Sequence, residues 1–262
     1  MELFKPRGQI SKKAAVFIEL SGFIIILTTW SIITGSHILP SSILPAPWKV
    51  LSSFKELHFE DALVRNMLYS LQLNILGYVY AVVAALLIGF PTGLFPFFRS
   101  LFSRYIESSR YLPITALTGI FIAWFGIETN MKVMFLAFGI FVYLLPVVIQ
   151  RIDEVEEVYV QTARTLGATR FQYIVTVFIP AVMQRISDDI RVLVAISWTY
   201  IIVAELVNRT GGLGSMAFAA ARQSRMDKVF AVLLVIVLIG FIQDRVFRLG
   251  DKLLFPHKYE RK

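Results

Sequence analysis

Runs of about 20 mostly apolar residues recur along this chain, and each is long enough for a helix to cross the hydrocarbon core of a bilayer. No water reaches backbone groups in that core, so each run must satisfy its own hydrogen bonds as a helix. Spans are expected at 14–34, 66–95, 111–125, 131–150, 187–207 and 229–247. The third holds Pro113 and is the shortest, and 103–110 before it reads as an interfacial helix. Breakers fill the connections: Pro40, Pro45 and Pro47, then Pro91 and Pro96, then Gly211 and Gly212. Hydrophobic residues at 56% and charged ones at 17% depart from soluble averages of about 45–50% and about 25%. The expectation is an all-α, polytopic transmembrane helix bundle of about six spans, in a single domain over residues 1–262.

Charge and residue usage narrow the function. A net charge of +8 on a chain of spans serves orientation, so nucleic acid is not an expected partner; the lipid bilayer is. With no cysteine, thiolate metal sites and Cys nucleophiles are excluded. His37, His58 and His257 all fall outside the expected spans without clustered ligands, so no metal site is expected. Lys5, Arg7, Lys12 and Lys13 precede a first apolar run longer than a signal-peptide core, which reads as a retained span. With the N-terminus inside, about sixteen Lys and Arg residues fall on one side and about eight on the other. A multi-pass protein of the cytoplasmic membrane follows, with both termini and the 153–180 loop cytoplasmic.

That loop carries Asp153, Glu154, Glu156, Glu157, Arg164 and Arg170, too many charges for lipid. Val155, Val158, Tyr159, Thr162, Ala163 and Leu166 recur at spacings of three and four, which predicts an amphipathic surface helix. Gly167 falls where its cap belongs. Residues 169–179 read as a second short helix ended by Pro180. In the fifth span Arg191, Trp198 and Glu205 recur every seven residues and so share one face. Such a face meets protein or water, as a translocation path or a seam between subunits. The competing reading is a structural pairing, for example of Arg191 with Asp188. Gly211, Gly212 and Gly214, with Asn208 and Arg209, form an outside turn.

Gln161, Thr162 and Ala163, then Gly167, then Val177, Ile179 and Pro180 stand at the spacing of a cytoplasmic motif. That motif runs Glu-Ala-Ala, three residues, Gly, nine residues, then Ile, any residue, Leu-Pro. Here the acidic first position is Gln161 and the second is Thr162. The chain thereby resembles the membrane subunit, or permease, of binding-protein-dependent ABC importers, over roughly 47–256. Arg191, Ser197-Trp198, Ala204-Glu205-Leu206, Gly212-Leu213-Gly214 and Gln243-Asp244-Arg245 are similar to the nitrate, sulfonate, taurine and bicarbonate branch.

The resemblance implies a transport subunit and not an enzyme. It makes Gln161, Thr162, Ala163, Leu166, Gly167 and Pro180 the ATPase-coupling residues and Gly211, Gly212 and Gly214 an external gate loop, while the shared face of Arg191, Trp198 and Glu205 supplies the expected translocation path. It further implies a permease homodimer, two ATP-binding subunits and an extracytoplasmic substrate-binding protein. The chain has no Gly-rich phosphate loop, so ATP and Mg would be bound by the partner ATPase and no cofactor by this chain. Arg209, Arg222 and Arg225 near the outer mouth favour a small anion such as nitrate, bicarbonate, taurine or another sulfonate, although Glu205 near the same mouth would repel one. A neutral pyrimidine or vitamin precursor is the alternative cargo. A secondary transporter would need inverted repeats, and a membrane-embedded enzyme would need convergent acid, base and nucleophile groups. Neither pattern is visible.

Overall fold

The computed structural model describes residues 5, 8, 10–36, 38–207 and 210–259. Arg7, His37, Asn208, Arg209, Arg261 and Lys262 lie outside the described residues, as does the side chain of His257. The described residues are helical and contain no strand. They form two compact units, 1–62 with 217–233, and 63–216 with 234–262.

In the first unit, α1 (Lys12–Gly35) is capped by the Ser11 hydroxyl, which accepts from the Ala14 N–H at 3.3 Å. No α1 residue is buried, as suits an apolar helix whose solvent is lipid. The hydroxyls of Ser21, Thr28, Ser31 and Thr34 each donate to the carbonyl four residues earlier, so none enters lipid unpaired. The Trp30 indole donates to the Pro45 carbonyl at 3.0 Å, tying α1 to the residues just before α2 (Pro47–Phe59). Arg225 and Lys228 both reach Glu56, at 2.7 Å each, and Lys228 also pairs with Asp61 at 2.6 Å. Arg225, first, and Lys228 hold the Glu56 carboxyl down at about 2.

The second unit is built on α3 (Leu63–Leu94) and α6 (Thr129–Asp153), with α9 (Ile179–Val207) packed on α6. Gly77, Ala81, Ala85, Gly89 and Gly93 follow one another at every fourth position of α3. Small residues so spaced let helix backbones approach closely in a membrane. A Cβ on Gly77 would lie 2.6 Å from Leu136 Cδ2, and one on Gly89 2.6 Å from Val148 Cγ1. Ala81 and Ala85 are buried in the same line. Between α3 and α6 come α4 (Pro96–Ser109), with proline at its first turn, a 3₁₀ turn over Ile114–Leu117, and α5 (Thr118–Phe125).

Among the described residues, five helical stretches are long and apolar enough to cross a membrane: Lys12–Gly35, Leu63–Leu94, Thr129–Asp153, Arg170–Val207 and Met226–Leu254. The expected third span is instead the short apolar stretch Ile114–Phe125. Pro113 cannot continue a helix leftward, and Gly126, at φ 73°, ends α5 on the right.

Candidate functional site

Ionic contacts fasten the charged loop where it leaves α6. Arg151 grips Asp189 of α9 with two nitrogens, at 2.7 and 2.8 Å, and reaches Glu154 with a third at 2.7 Å. Arg185 of α9 donates to the Glu154 carbonyl at 2.8 Å. Asp153 accepts from Arg99 of α4 at 2.5 Å. Arg151 beside Glu154 lowers the pKa of its carboxyl.

Helix α7 (Glu157–Thr165) follows, and its end is set by Gly167. The Gly167 N–H bonds to the Arg164 carbonyl at 2.9 Å and the Ala168 N–H to that of Ala163 at 3.0 Å, with Gly167 at φ 81°. This is a Schellman cap, and it needs a left-handed residue. Thr169 then opens α8 (Arg170–Tyr173) through a reciprocal capping box with Gln172.

Two details differ from the sequence expectation. The second helix is not ended by Pro180. It passes through a π-turn over Ile174–Phe178 into α9, where Pro180 is the second residue. The Ile179 N–H reaches back five residues to the Ile174 carbonyl, and this widened turn accommodates a residue that cannot donate. The predicted stripe also divides. Val155 precedes α7, and the residue that buries is Val160, 3% exposed, which the periodicity missed. Val160 lines a cleft of about 450 Å³ with Ile152, Arg164, Tyr173, Ile174 and Phe178. Val158, Tyr159, Thr162 and Leu166, the last 82% exposed, face outward with Gln161 and Gly167, and Ala163 is half-buried.

On α9, each member of the seven-residue series has a partner in its own chain. Arg191 pairs with Asp244 at 2.7 Å, whereas Asp188 pairs with Lys258 at 2.9 Å. The Trp198 indole donates to Gln243 Oε1 at 2.7 Å. Gln243 and Asp244 belong to α11 (Met226–Leu254). Glu205 is fully buried: its Oε1 accepts from Ser70 Oγ at 2.5 Å and its Oε2 from the Gly214 N–H at 2.7 Å. Ser70 in turn accepts the Leu213 N–H at 2.8 Å, and Asn66 Oδ1 accepts that of Gly212 at 2.7 Å.

The glycines of this turn follow from that packing. Gly211 and Gly212 take φ of 143° and 104°, and a Cβ on Gly212 would collide with the Glu205 carboxyl. A Cβ on Gly214 would lie 2.9 Å from the Ile202 carbonyl oxygen. Leu213 begins α10 (Leu213–Arg222). Buried Lys132 of α6 donates to Thr210 at 3.1 Å, and its ammonium lies 5.3 Å from the Tyr69 ring centroid. Sequence reasoning missed Asn66, Ser70 and Lys132. The signal for the first two was present, because Asn66, Ser70 and Asn74 are polar at every fourth position of an apolar helix; Asn74 bonds Ser197 of α9 at 2.9 Å. Arg225, expected to bias the outer mouth, has its charge engaged by Glu56 and Asp227.

Comparison with known proteins agrees with this architecture. The aliphatic sulfonates transport permease assignment SsuC of Bacillus subtilis is 29% identical over 234 residues, covering 88% of this chain and 83% of the relative. The taurine transport system permease protein TauC of Escherichia coli is 27% identical over 257 residues, covering 96% and 93%. A solved chain of the MetNI methionine ABC transporter, in an inward-facing conformation, superposes with a TM-score of 0.63 at 16% identity, covering 73% of this chain and 95% of that one. This likeness shows the fold. Residues 81–255 match the family described as the binding-protein-dependent transport system inner membrane component, and the chain belongs to that family: it is a membrane permease subunit of an ABC importer.

Proposed function

We propose that this permease imports a small anion, a sulfonate first of all, and that α7 is the element through which ATP hydrolysis drives it. The observation that carries the second half is the division of α7 into a face anchored by Val160 and an outward face of Val158, Tyr159, Thr162 and Leu166. An apolar stripe beside Gln161, on a helix with a fixed cap at Gly167, suits a groove on a cytoplasmic ATPase. The ties from Arg151 and Arg185 to Glu154 and Asp189 suit a helix whose displacement is passed to α9. Two ATPase subunits docked on a permease homodimer, each binding its own ATP and Mg, would then alternate access between two states.

Residues 47–256 form the core of one permease domain on this reading, and both termini lie in the cytoplasm beneath the inner membrane. An external binding protein delivers cargo. Arg191, Trp198 and Glu205 brace the helix that walls the path, with Pro180 at its cytoplasmic start, and Gly211, Gly212 and Gly214 form the outer gate. The sulfonate assignment rests on the named substrates of the relatives and not on the mouth, because Arg225 is already engaged.

The test is copurification and transport in parallel. Leu166→Asp places a charge on the outward face without disturbing Val160, so the ATPase should be lost from the detergent-extracted complex while the permease keeps its native yield. An ATPase that stays bound at native level contradicts the docking role. Uptake assayed with taurine, an alkanesulfonate, nitrate and a neutral pyrimidine decides cargo, and uptake of the pyrimidine alone contradicts the anion.

A further inference from the structure

The first turn of α10 is capped from outside its own helix. Leading N–H groups of a helix have no intrahelical acceptor and need one from elsewhere. Here they find acceptors on two membrane spans: Gly212 meets Asn66 and Leu213 meets Ser70, both on α3, while Gly214 meets Glu205 on α9. The Ser70 hydroxyl closes the set by donating to Glu205 Oε1. A carboxyl group at a helix N-terminus is favoured by the helix dipole, and a fully buried one is tolerated only when its oxygens are bonded. Lys132 holds the start of the same turn through Thr210, so α3, α6 and α9 all converge on residues 210–214.

We infer that Glu205 is a positioning residue for the transport cycle. With Ser70 it latches the 210–214 turn shut, and through that turn it keeps ATP hydrolysis dependent on the loaded binding protein. The inference rests on the reading of this turn as the outer gate. Moving the turn strips three N–H groups of their acceptors at once and takes from Glu205 Oε2 its donor, the Gly214 N–H, in a dry environment. The closed arrangement therefore persists until binding protein and ATP together offset that loss. A gate that loses the latch opens without them.

The test uses the permease with its ATPase and binding protein in nanodiscs, with taurine as the probe. Ser70→Ala removes a single oxygen and Glu205→Gln keeps the shape of the side chain. Each should raise ATPase activity in the absence of binding protein about tenfold, the scale of one lost buried hydrogen-bond partner, and lower taurine uptake per ATP. Ser70→Thr, which keeps the hydroxyl, should restore coupling, an outcome a merely structural role at this position does not require.

A second readout is independent of transport. Ser215 is buried against the turn, its hydroxyl on the Gly212 carbonyl at 2.9 Å. Ser215→Cys should react about tenfold faster with a water-soluble maleimide when combined with Ser70→Ala than alone. If Glu205→Gln does not assemble, the Ser70→Ala and Ser70→Thr pair decides. Unchanged labelling in Ser70→Ala overturns the latch, and so does faster labelling with ATPase still fully dependent on binding protein. Should the native complex show no ATP-dependent uptake of taurine, alkanesulfonate or nitrate while labelling still rises, the substrate reading fails and the latch does not.

Discussion

Gly167 shows how much one residue can decide. At φ 81° it closes α7, and no atom lies within 4 Å of where its Cβ would stand. The Cβ of Gly167→Val therefore meets no clash, and the local cost is that of a left-handed L-residue, roughly 1–2 kcal/mol. That is too little to unfold the protein and enough to undo a cap on a nine-residue helix. We expect native yield and a melting temperature lowered by no more than a few degrees, with ATP-driven uptake lost; normal uptake would remove α7 from the coupling path. Gly167 was legible in the sequence because a C-cap is a local event, written within five residues. Glu205 was legible only as a charge on a face. Its partner Ser70 lies 135 residues away, and no local pattern announces which hydroxyl a buried carboxyl will choose.

At the level of elements, the seam between α3 and α6 is set by what α3 lacks. Lipid tails are as apolar as the helices, so close packing has to supply what hydrophobic burial supplies in water. Gly89→Ala puts a methyl 2.6 Å from Val148 Cγ1 and 2.8 Å from its Cβ, and overpacking of this kind costs about 1–3 kcal/mol. A lower melting temperature in detergent is expected, against no change for Gly22→Ala on α1, where a Cβ meets nothing within 4 Å. Equal melting temperatures would mean that the seam yields. Helix existence was readable from apolar runs, whereas helix continuity was not. Pro180 looks like a terminator in any local reading, and only the π-turn before it, a choice made by backbone register, carries the chain from α8 into α9.

For the whole molecule, orientation and span number constrain each other. If the N-terminus and the 153–180 loop both face the cytoplasm, α1 runs outward, α3 inward and α6 inward again. The chain must therefore return to the outer side between Leu94 and Thr129, and Ile114–Phe125 is the one apolar stretch available there among the described residues. Its 3₁₀ turn of four residues and helix of eight span only about 20 Å of a hydrocarbon core about 30 Å thick. In that topology the crossing would need the extended backbone at Pro113, ψ 96°, together with local thinning of the bilayer, which costs fractions of a kcal/mol per Å. Single cysteines settle the matter. Ser109→Cys and Thr165→Cys should be shielded from an impermeant maleimide added outside intact cells, and Glu128→Cys and Gln223→Cys should react. A reactive Thr165→Cys would invert the topology and detach α7 from any cytoplasmic ATPase. Shielding of both Ser109→Cys and Glu128→Cys, with Thr165→Cys still shielded, would mean that α5 does not cross and that parity is restored elsewhere in the chain.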